Sequence, residues 1–282
     1  MLYTIFWEHG FHKLIHDAYL KEFDFLLPIN LRNKIRLGNL YDGGYVVYLP
    51  ALYKTDILIT YGIGWDVAFE VDFYELTGKK VWLYDPSMFV DNALNSNKYI
   101  DNIKSWKKKA DYLRKHNIIF INEGISVVQK PKYNTFEYHL KYNNIVDDNI
   151  LLKIDIEGDE YEVFTDDCFC ENLHIVNQIV IEFHDLNNKL STLKNIIRRL
   201  KKKFEIIHIH GNNNSPVFTH YCADTEIVFP EVLEITFLKK EYIYAVDVIA
   251  DPVLYPIVGL DYPNNPEREE YILNMIFQHV SK

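Results

Sequence analysis

The sequence predicts an α/β protein built on a mostly parallel sheet wound with helices on both faces. Two observations carry that prediction. From about Asp56 onward, short β-rich apolar runs alternate with longer stretches whose apolar residues recur at helical spacing. Several of the runs, above all Ile150–Ile154, are nearly continuous in apolar residues, as strands buried on both faces are. Strands that alternate with helices assemble into a parallel sheet because each crossover helix must pack back onto it.

The strands are expected at Ile57–Tyr61, Lys80–Tyr84, Ile118–Asn122, Ile150–Ile154, Gln178–Phe183 and Glu205–His210. A last pair, Thr225–Phe229 and Leu233–Leu238, is separated by a few residues around Pro230 and reads as a hairpin-like end. Helical patterns fall at Asp66–Leu76, Ile103–Lys115, from Glu160 through Phe164 onward, and Ser191–Lys203. In the last of these Ser191 suits an N-cap, and Leu193, Ile196, Ile197 and Leu200 share one face. Six alternating strands followed by a close pair predict seven strands with an antiparallel strand inserted at one edge. Residues 1–55 read as a helical lead-in and cap with a β-rich piece at Gly44–Leu49, and 56–240 as the main domain. Residues 241–282, with four prolines and a final helix near Glu267–Val280, read as an extension packing on the core.

Composition narrows the function classes. The chain has 282 residues, 48% hydrophobic and 25% charged, with 40 acidic against 30 basic side chains and a net charge of −10. A protein that tracks nucleic-acid phosphates has the opposite balance, so no nucleic-acid partner is expected. The basic runs Lys107–Lys109 and Lys201–Lys203 lie on polar sides of helical patterns and read as solvated faces. Three cysteines without framework spacing fit a reducing compartment. No apolar run reaches the ~20 residues of a membrane span, and Glu8, His9 and Asp17 interrupt the N-terminal aromatics of what would otherwise resemble a signal. The expectation is a cytoplasmic protein without membrane insertion, its oligomeric state left open.

The first chemical feature is the turn after Ile57–Tyr61. Tyr61 leads into Gly62-Ile63-Gly64 and then a helix, where glycines admit a ligand to the backbone and a helix N-terminus offers free N–H groups. Strand Lys80–Tyr84 ends in Asp85, 21 positions after Gly64 and directly before Pro86, placed to accept hydrogen bonds from ribose hydroxyls. Glycines and an acid also serve plain tight turns. The third glycine of the dinucleotide fingerprint is missing, which favours an adenosyl ligand over NAD. Glu123 and Gly124, at the end of the third strand, are candidates to flank an adenine.

The second feature is a collection of acids and imidazoles at the ends of the next strands. Asp155 and Glu157 follow the fourth strand, Glu182 and His184 the fifth, and His208 and His210 the sixth. In a parallel sheet these ends share one edge, and period-two alternation places Glu182 with His184, and His208 with His210. Two chemistries suit such a set. Asp155, Glu182 and His184 could hold a divalent metal that acidifies a substrate hydroxyl. Alternatively Asp155, His184 or His210 could act directly as general base. A hydrogen-bond network joining strand ends to loops is the bland alternative. Asn212 and Asn213, in the loop Gly211–Ser215, suit a polyhydroxylated substrate, as do Glu157 and His208. Asp159 and Glu160 belong to the first turn of the following helix, where negative charge is favourable.

These segments together resemble the FkbM-type family of S-adenosylmethionine-dependent O-methyltransferases. The resemblance rests on Arg36-Leu37-Gly38 with Asp42-Gly43-Gly44-Tyr45-Val46, on YGIGWDVAFE at Tyr61–Glu70 and on LYDPS at Leu83–Ser87. It rests further on LKIDIEGDEYEVF at Leu152–Phe164, IVIEFHDL at Ile179–Leu186 and HIHGNNN at His208–Asn214. It covers roughly Lys34 to Leu238 and is most specific in IDIEGDEYEV. It implies a Rossmann-like class I methyltransferase fold, S-adenosylmethionine as cofactor, and methyl transfer to a hydroxyl of a sugar, glycan or secondary metabolite, as in surface-polysaccharide or sugar-nucleotide pathways. By position it assigns Gly62, Gly64 and Glu70 to the cofactor loop and helix, and Asp85 to the ribose. Asp155, Glu182 and His184 stand where related metal-dependent enzymes carry acidic ligands; His184 departs from an all-carboxylate set, and a cation such as magnesium is therefore in question. Segment Asp42–Tyr45 would fold over the cofactor or simply turn before an edge strand. Two other classes remain: a non-catalytic scaffold of the same fold, and an NAD-dependent sugar-modifying enzyme.

Overall fold

The computed structural model describes residues 23–64, 66–88, 112–113, 115–116, 118–146, 148–222, 225–250 and 254–273. Among the described residues, a 3-10 turn at Asp24–Leu26 precedes a hairpin of β1 (Lys34–Leu37) and β2 (Tyr45–Tyr48), followed by the short helix α1 (Leu49–Leu52). Next come β3 (Ile57–Tyr61), α2 (Ala68–Thr77), β4 (Lys80–Tyr84), β5 (Ile118–Ile121), the small pair β6 (Gly124–Ile125) and β7 (Tyr133–Asn134), and α3 (Phe136–Tyr142). The second half contains β8 (Ile150–Ile154), α4 (Glu160–Thr165), α5 (Asp167–Asn172), β9 (Val176–Phe183), α6 (Leu186–Leu200) and β10 (Phe204–Gly211). It ends with β11 (Val217–Cys222), β12 (Thr225–Pro230) and β13 (Leu233–Lys239).

Seven of these strands form one sheet in the order β10-β13-β9-β8-β3-β4-β5. Strands β9, β8, β3, β4 and β5 pair in parallel, while β13 runs antiparallel to both β9 and β10. The antiparallel strand thus sits at one end of the sheet, one position in from its last member. This is the arrangement of the Rossmann-like class I methyltransferase fold. The apolar runs account for the centre: every residue of β3, β8 and β9 is buried.

Three expectations about the second half of the chain are corrected. Strands β12 and β13 do not pair with each other. β12 closes a separate hairpin with β11, a strand the alternation does not predict, and β13 enters the main sheet. The helix expected from Ser191 begins five residues earlier, at Leu186, and Ser191 lies inside it. A distant residue supplies its cap: Glu231 accepts from the Leu186 and Asn187 amides through its carbonyl and carboxylate oxygens. Residues 267–273 of the expected final helix are not helical; the rest of it, and the leading helix within 1–22, lie outside the described residues, as do most of Ile103–Lys115 and Lys107–Lys109.

The two faces of the sheet are covered differently. On one face the packing is apolar throughout. Leu152, Ile154, Ile179, Ile181 and Phe183 join Phe164 and the buried stripe Leu186, Leu190, Leu193 and Ile197 of α6 in one cluster. The opposite face is covered by α2 and by the β1–β2 hairpin, and it carries polar groups although it too is buried. Gln178 accepts from the Tyr48 amide at 2.9 Å and donates to the Tyr48 carbonyl at 3.2 Å. Thr236 donates to the Val46 carbonyl at 2.6 Å, and Lys34 donates to the Ile207 carbonyl at 3.0 Å. The hairpin is therefore fastened to the sheet by directional bonds as well as by packing. Gln178→Ala would leave both Tyr48 backbone groups buried and unpaired, and is expected to lower stability by roughly 2–4 kcal/mol in urea unfolding; an unchanged midpoint would remove Gln178 as a fastener.

Candidate active site

The carboxyl ends of the parallel strands open into a cavity of about 580 Å³. Its lining joins both features read from the sequence: Gly62, Gly64, Glu70, Asp85, Pro86 and Gly124 on one side, and Asp155, Glu157, Glu182, His184 and Asn212 on the other.

The glycine turn is built around close approach. Gly62 has φ +77, and a Cβ there would lie 1.6 Å from the Asp155 carbonyl oxygen, so no other residue fits. Asp85 is the partner of this turn. Its Oδ2 accepts from the Ile63 and Gly64 amides at 3.0 and 2.9 Å, and its Oδ1 from the Ser87 amide and hydroxyl at 2.8 and 2.6 Å. Glu70 is buried in the first turn of α2, 3.7 Å from Lys153 Nζ, and its Oε1 makes no hydrogen bond. Burial raises its pKa, with Lys153 opposing. Tyr61 borders the cavity, but its hydroxyl is turned into the core, 2.9 Å from His139 Nδ1. Glu123 departs from expectation: it does not line the cavity, because Asn134 donates to it at 2.8 Å and His139 Nε2 lies 3.3 Å away.

On the other side the strand register sets the arrangement. Ile154 pairs with Ile181, so Asp155 follows in line with Glu182, which pairs with Glu234, which pairs with His210. Alternation holds this row on the face opposite the isoleucine core. Tyr45, carried by the hairpin, places its hydroxyl 3.1 Å from Asp155 Oδ2 and 3.0 Å from Glu182 Oε2. His184 stands at the centre. Its Nδ1 is 3.1 Å from Glu160, and its Nε2 is 3.8, 3.6 and 3.6 Å from Asp155, Glu157 and Glu182. Burial opposes charge on this imidazole, but the Glu160 hydrogen bond and the surrounding carboxylates outweigh it and hold its pKa at about 9. Burial raises the carboxyl pKa of Asp155, and burial with Asp155 and Glu234 raises that of Glu182. Asp155, Glu157 and His184 offer ligand atoms within 4.8 Å of one another.

Three expected site residues are placed elsewhere. His208 and His210 do not line the cavity, because β13 lies between β9 and β10 and moves them two strands away from Glu182. There the C-terminal segment meets them. His208 Nε2 lies 2.7 Å from Asp261, and His210 lies 3.1 Å from Glu234 and 3.3 Å from Glu270. Asn213 donates to the carbonyls of Asn265, Arg268 and Glu269. All three are structural ties to residues 261–270. Asn212 does line the cavity and donates to Glu182 at 2.8 Å. Lys153 also lines it, although a lysine inside an apolar run reads as an interruption in the sequence. The available signal was its place in a buried strand directly before the acids, since a buried lysine needs a carboxylate partner.

A scan against protein-family models finds no match, and neither does a search of curated proteins. Among solved structures the chain is similar to an rRNA methylase from Streptococcus thermophilus, at 11% identity and TM-score 0.36, with 83% of this chain and 98% of that one covered. It is similar to a fibrillarin pre-rRNA processing protein from Methanococcus jannaschii at 10% identity and TM-score 0.36, covering 67% and 69%. Spermidine synthase from Thermotoga maritima gives 14% identity and TM-score 0.38, covering 72% and 60%. Likeness at this level carries no argument about activity.

His210 generates a pH prediction. Burial opposes its charge, but Glu234 and then Glu270 outweigh burial and raise its pKa from 6.5 to about 10. A raised folded-state pKa gives stability that is fully present below about 6.5 and lost as pH rises through about 10. The stability deficit of His210→Asn, measured by urea unfolding, is expected to shrink across that window; a deficit independent of pH would refute the charged pairing.

Proposed function

We propose that the protein transfers a methyl group from S-adenosylmethionine to a hydroxyl of a carbohydrate-type acceptor. The observation that supports this most is one cavity in which the glycine turn with Asp85 faces Asp155, Glu182 and His184. The motifs that resemble the FkbM-type family support the same reading.

The residues present fit the cofactor in size and sign. The cavity holds about 580 Å³, its walls are rich in carboxylates, and Glu70 keeps one buried oxygen without a hydrogen-bond partner. The backbone of Gly62–Gly64, Asp85 and Glu70 would hold it. When bound, S-adenosylmethionine supplies a methyl group on a positively charged sulfur. The chain's part is to align the acceptor hydroxyl and remove its proton. His184 is cationic near neutral pH and so is a poor base as it stands, whereas Asp155 is an acceptor beside it. We assign the base to Asp155, with His184 balancing its charge and Tyr45 holding its second oxygen.

As an alternative to the proton on His184, the same cluster fits a divalent cation such as magnesium, with His184 neutral and Asp155 a ligand in place of the free base. Glu160 holds Nδ1 of His184, leaving Nε2 toward Asp155, Glu157 and Glu182, as a carboxylate-oriented histidine ligand requires. Such an ion would supply acidification of the acceptor hydroxyl.

A scaffold of the same fold is the competing reading, favoured by one observation: Asp85 already accepts four hydrogen bonds from its own turn. Calorimetry with S-adenosylhomocysteine separates the two, since binding is expected and its absence overturns methyl transfer. Asp85→Ala is expected to weaken that binding at least about tenfold, the worth of one or two hydrogen bonds to a charged group. Asp155→Asn and His184→Ala are expected to lower turnover while cofactor affinity holds; full activity in either would cancel its role. A chelator should lower turnover with binding of S-adenosylhomocysteine unchanged, and unaffected turnover would remove the cation.

A further inference from the structure

The cofactor assigned to the cavity ends in an amino acid, whose carboxylate must be matched inside a wall rich in acids. Strand register supplies a cation for it. Lys153 is the fourth residue of β8 and pairs with Thr60 of β3. Alternation places it on the same face as Asp155, opposite the isoleucine core. From there its side chain reaches the turn after β3. Its Nζ donates to the Gly62 carbonyl at 3.2 Å and lies 5.1 Å from the centre of the Tyr45 ring.

A lysine in a buried strand needs a counter-charge, and Glu70 provides it from the first turn of α2. The two are 3.7 Å apart, beyond hydrogen-bond length, and Glu70 Oε1 makes no hydrogen bond. A buried ion pair of that kind holds a wall together no better than two apolar side chains would. Both residues line the cavity. Among the described residues the ammonium spends one hydrogen bond, on Gly62, so it retains N–H groups for a ligand.

The strand order gives the direction. Asp85, after β4, is assigned the ribose, and Asp155, after β8, the hydroxyl that receives the methyl group; β3 lies between these strands. The cofactor's sulfur then belongs over the Gly62 turn. Its third arm, which carries the ammonium and carboxylate, starts beside Lys153. We infer that Lys153 receives the cofactor's carboxylate, with Glu70 keeping the lysine charged and offering its unfilled oxygen to the ammonium on the same carbon. The inference rests on the methyl-transfer reading. It makes the site selective for a cofactor that retains its carboxylate, because the decarboxylated form presents only a cation to Lys153.

Calorimetry on the full-length protein tests this with S-adenosylhomocysteine, its decarboxylated analogue and 5′-methylthioadenosine, which lacks the amino-acid arm. The native protein is expected to bind S-adenosylhomocysteine at least about tenfold tighter than the decarboxylated analogue, the scale of one charge-assisted hydrogen bond. Lys153→Gln still donates to the Gly62 carbonyl but carries no charge. It is expected to bind those two ligands alike, through lost affinity for S-adenosylhomocysteine, while 5′-methylthioadenosine binds as it does to the native protein. A crystal structure of the native complex, which needs no variant to fold, should show the carboxylate within hydrogen-bond distance of Lys153 Nζ. Equal affinities in the native protein, a preference undiminished in Lys153→Gln, or a carboxylate held by other residues would each overturn the assignment and leave methyl transfer standing. Failure of both S-adenosylhomocysteine and 5′-methylthioadenosine to bind would overturn methyl transfer itself.

Discussion

The arrangement of the candidate site depends on the compensation of one buried carboxylate. Glu160 is fully buried, and an unpaired charge there would be costly. It accepts from the amides of Ile156 and Gly158 and lies 3.1 Å from His184 Nδ1. These bonds shape the turn that follows β8, in which Glu157 adopts φ +57 and Gly158 φ +113. They also orient His184, so Nε2 faces Asp155, Glu157 and Glu182. A residue outside the cavity thereby sets the direction of several within it.

The hairpin is the second support. It closes the polar face of the sheet and delivers Tyr45 to the gap between Asp155 and Glu182. Its own position depends on Gln178, Thr236 and Lys34, one from each of three different strands. The C-terminal segment plays a similar part from outside. Arg268 donates to the Asn213 and Asn214 carbonyls, and Asn264 donates to Glu234 and to Asp42. The loop that carries Asn212 is thus held by residues some fifty positions away.

Much of this was legible in the chain. Strands β3, β4 and β8 match their expected bounds because an apolar run between polar turns is a local signal. The positions of Asp85, Asp155 and Glu182 in the cavity wall were legible because an acid ending a buried strand has few places to go, and that of His184 because period-two alternation places it with Glu182. The start of α6 was not, since its cap comes from Glu231 rather than from a neighbouring Ser or Asp. Nor was the separation of His208 and His210 from the cavity. It arises because β13, later in the chain, inserts between β9 and β10, and nothing local to those histidines marks that insertion.

By itself the sequence determined the α/β alternation, the glycine turn and the acids at the strand ends. Each follows from local periodicity or from the conformational limits of a single residue. The tertiary structure decided which of those acids meet, that Glu123, His208, His210 and Asn213 lie off the cavity wall, and that Tyr45 and Lys153 enter the cavity. These outcomes depend on register, on strand order and on partners remote in the chain. Hydrophobic pattern specifies which face is buried; it does not specify which polar groups will satisfy one another there.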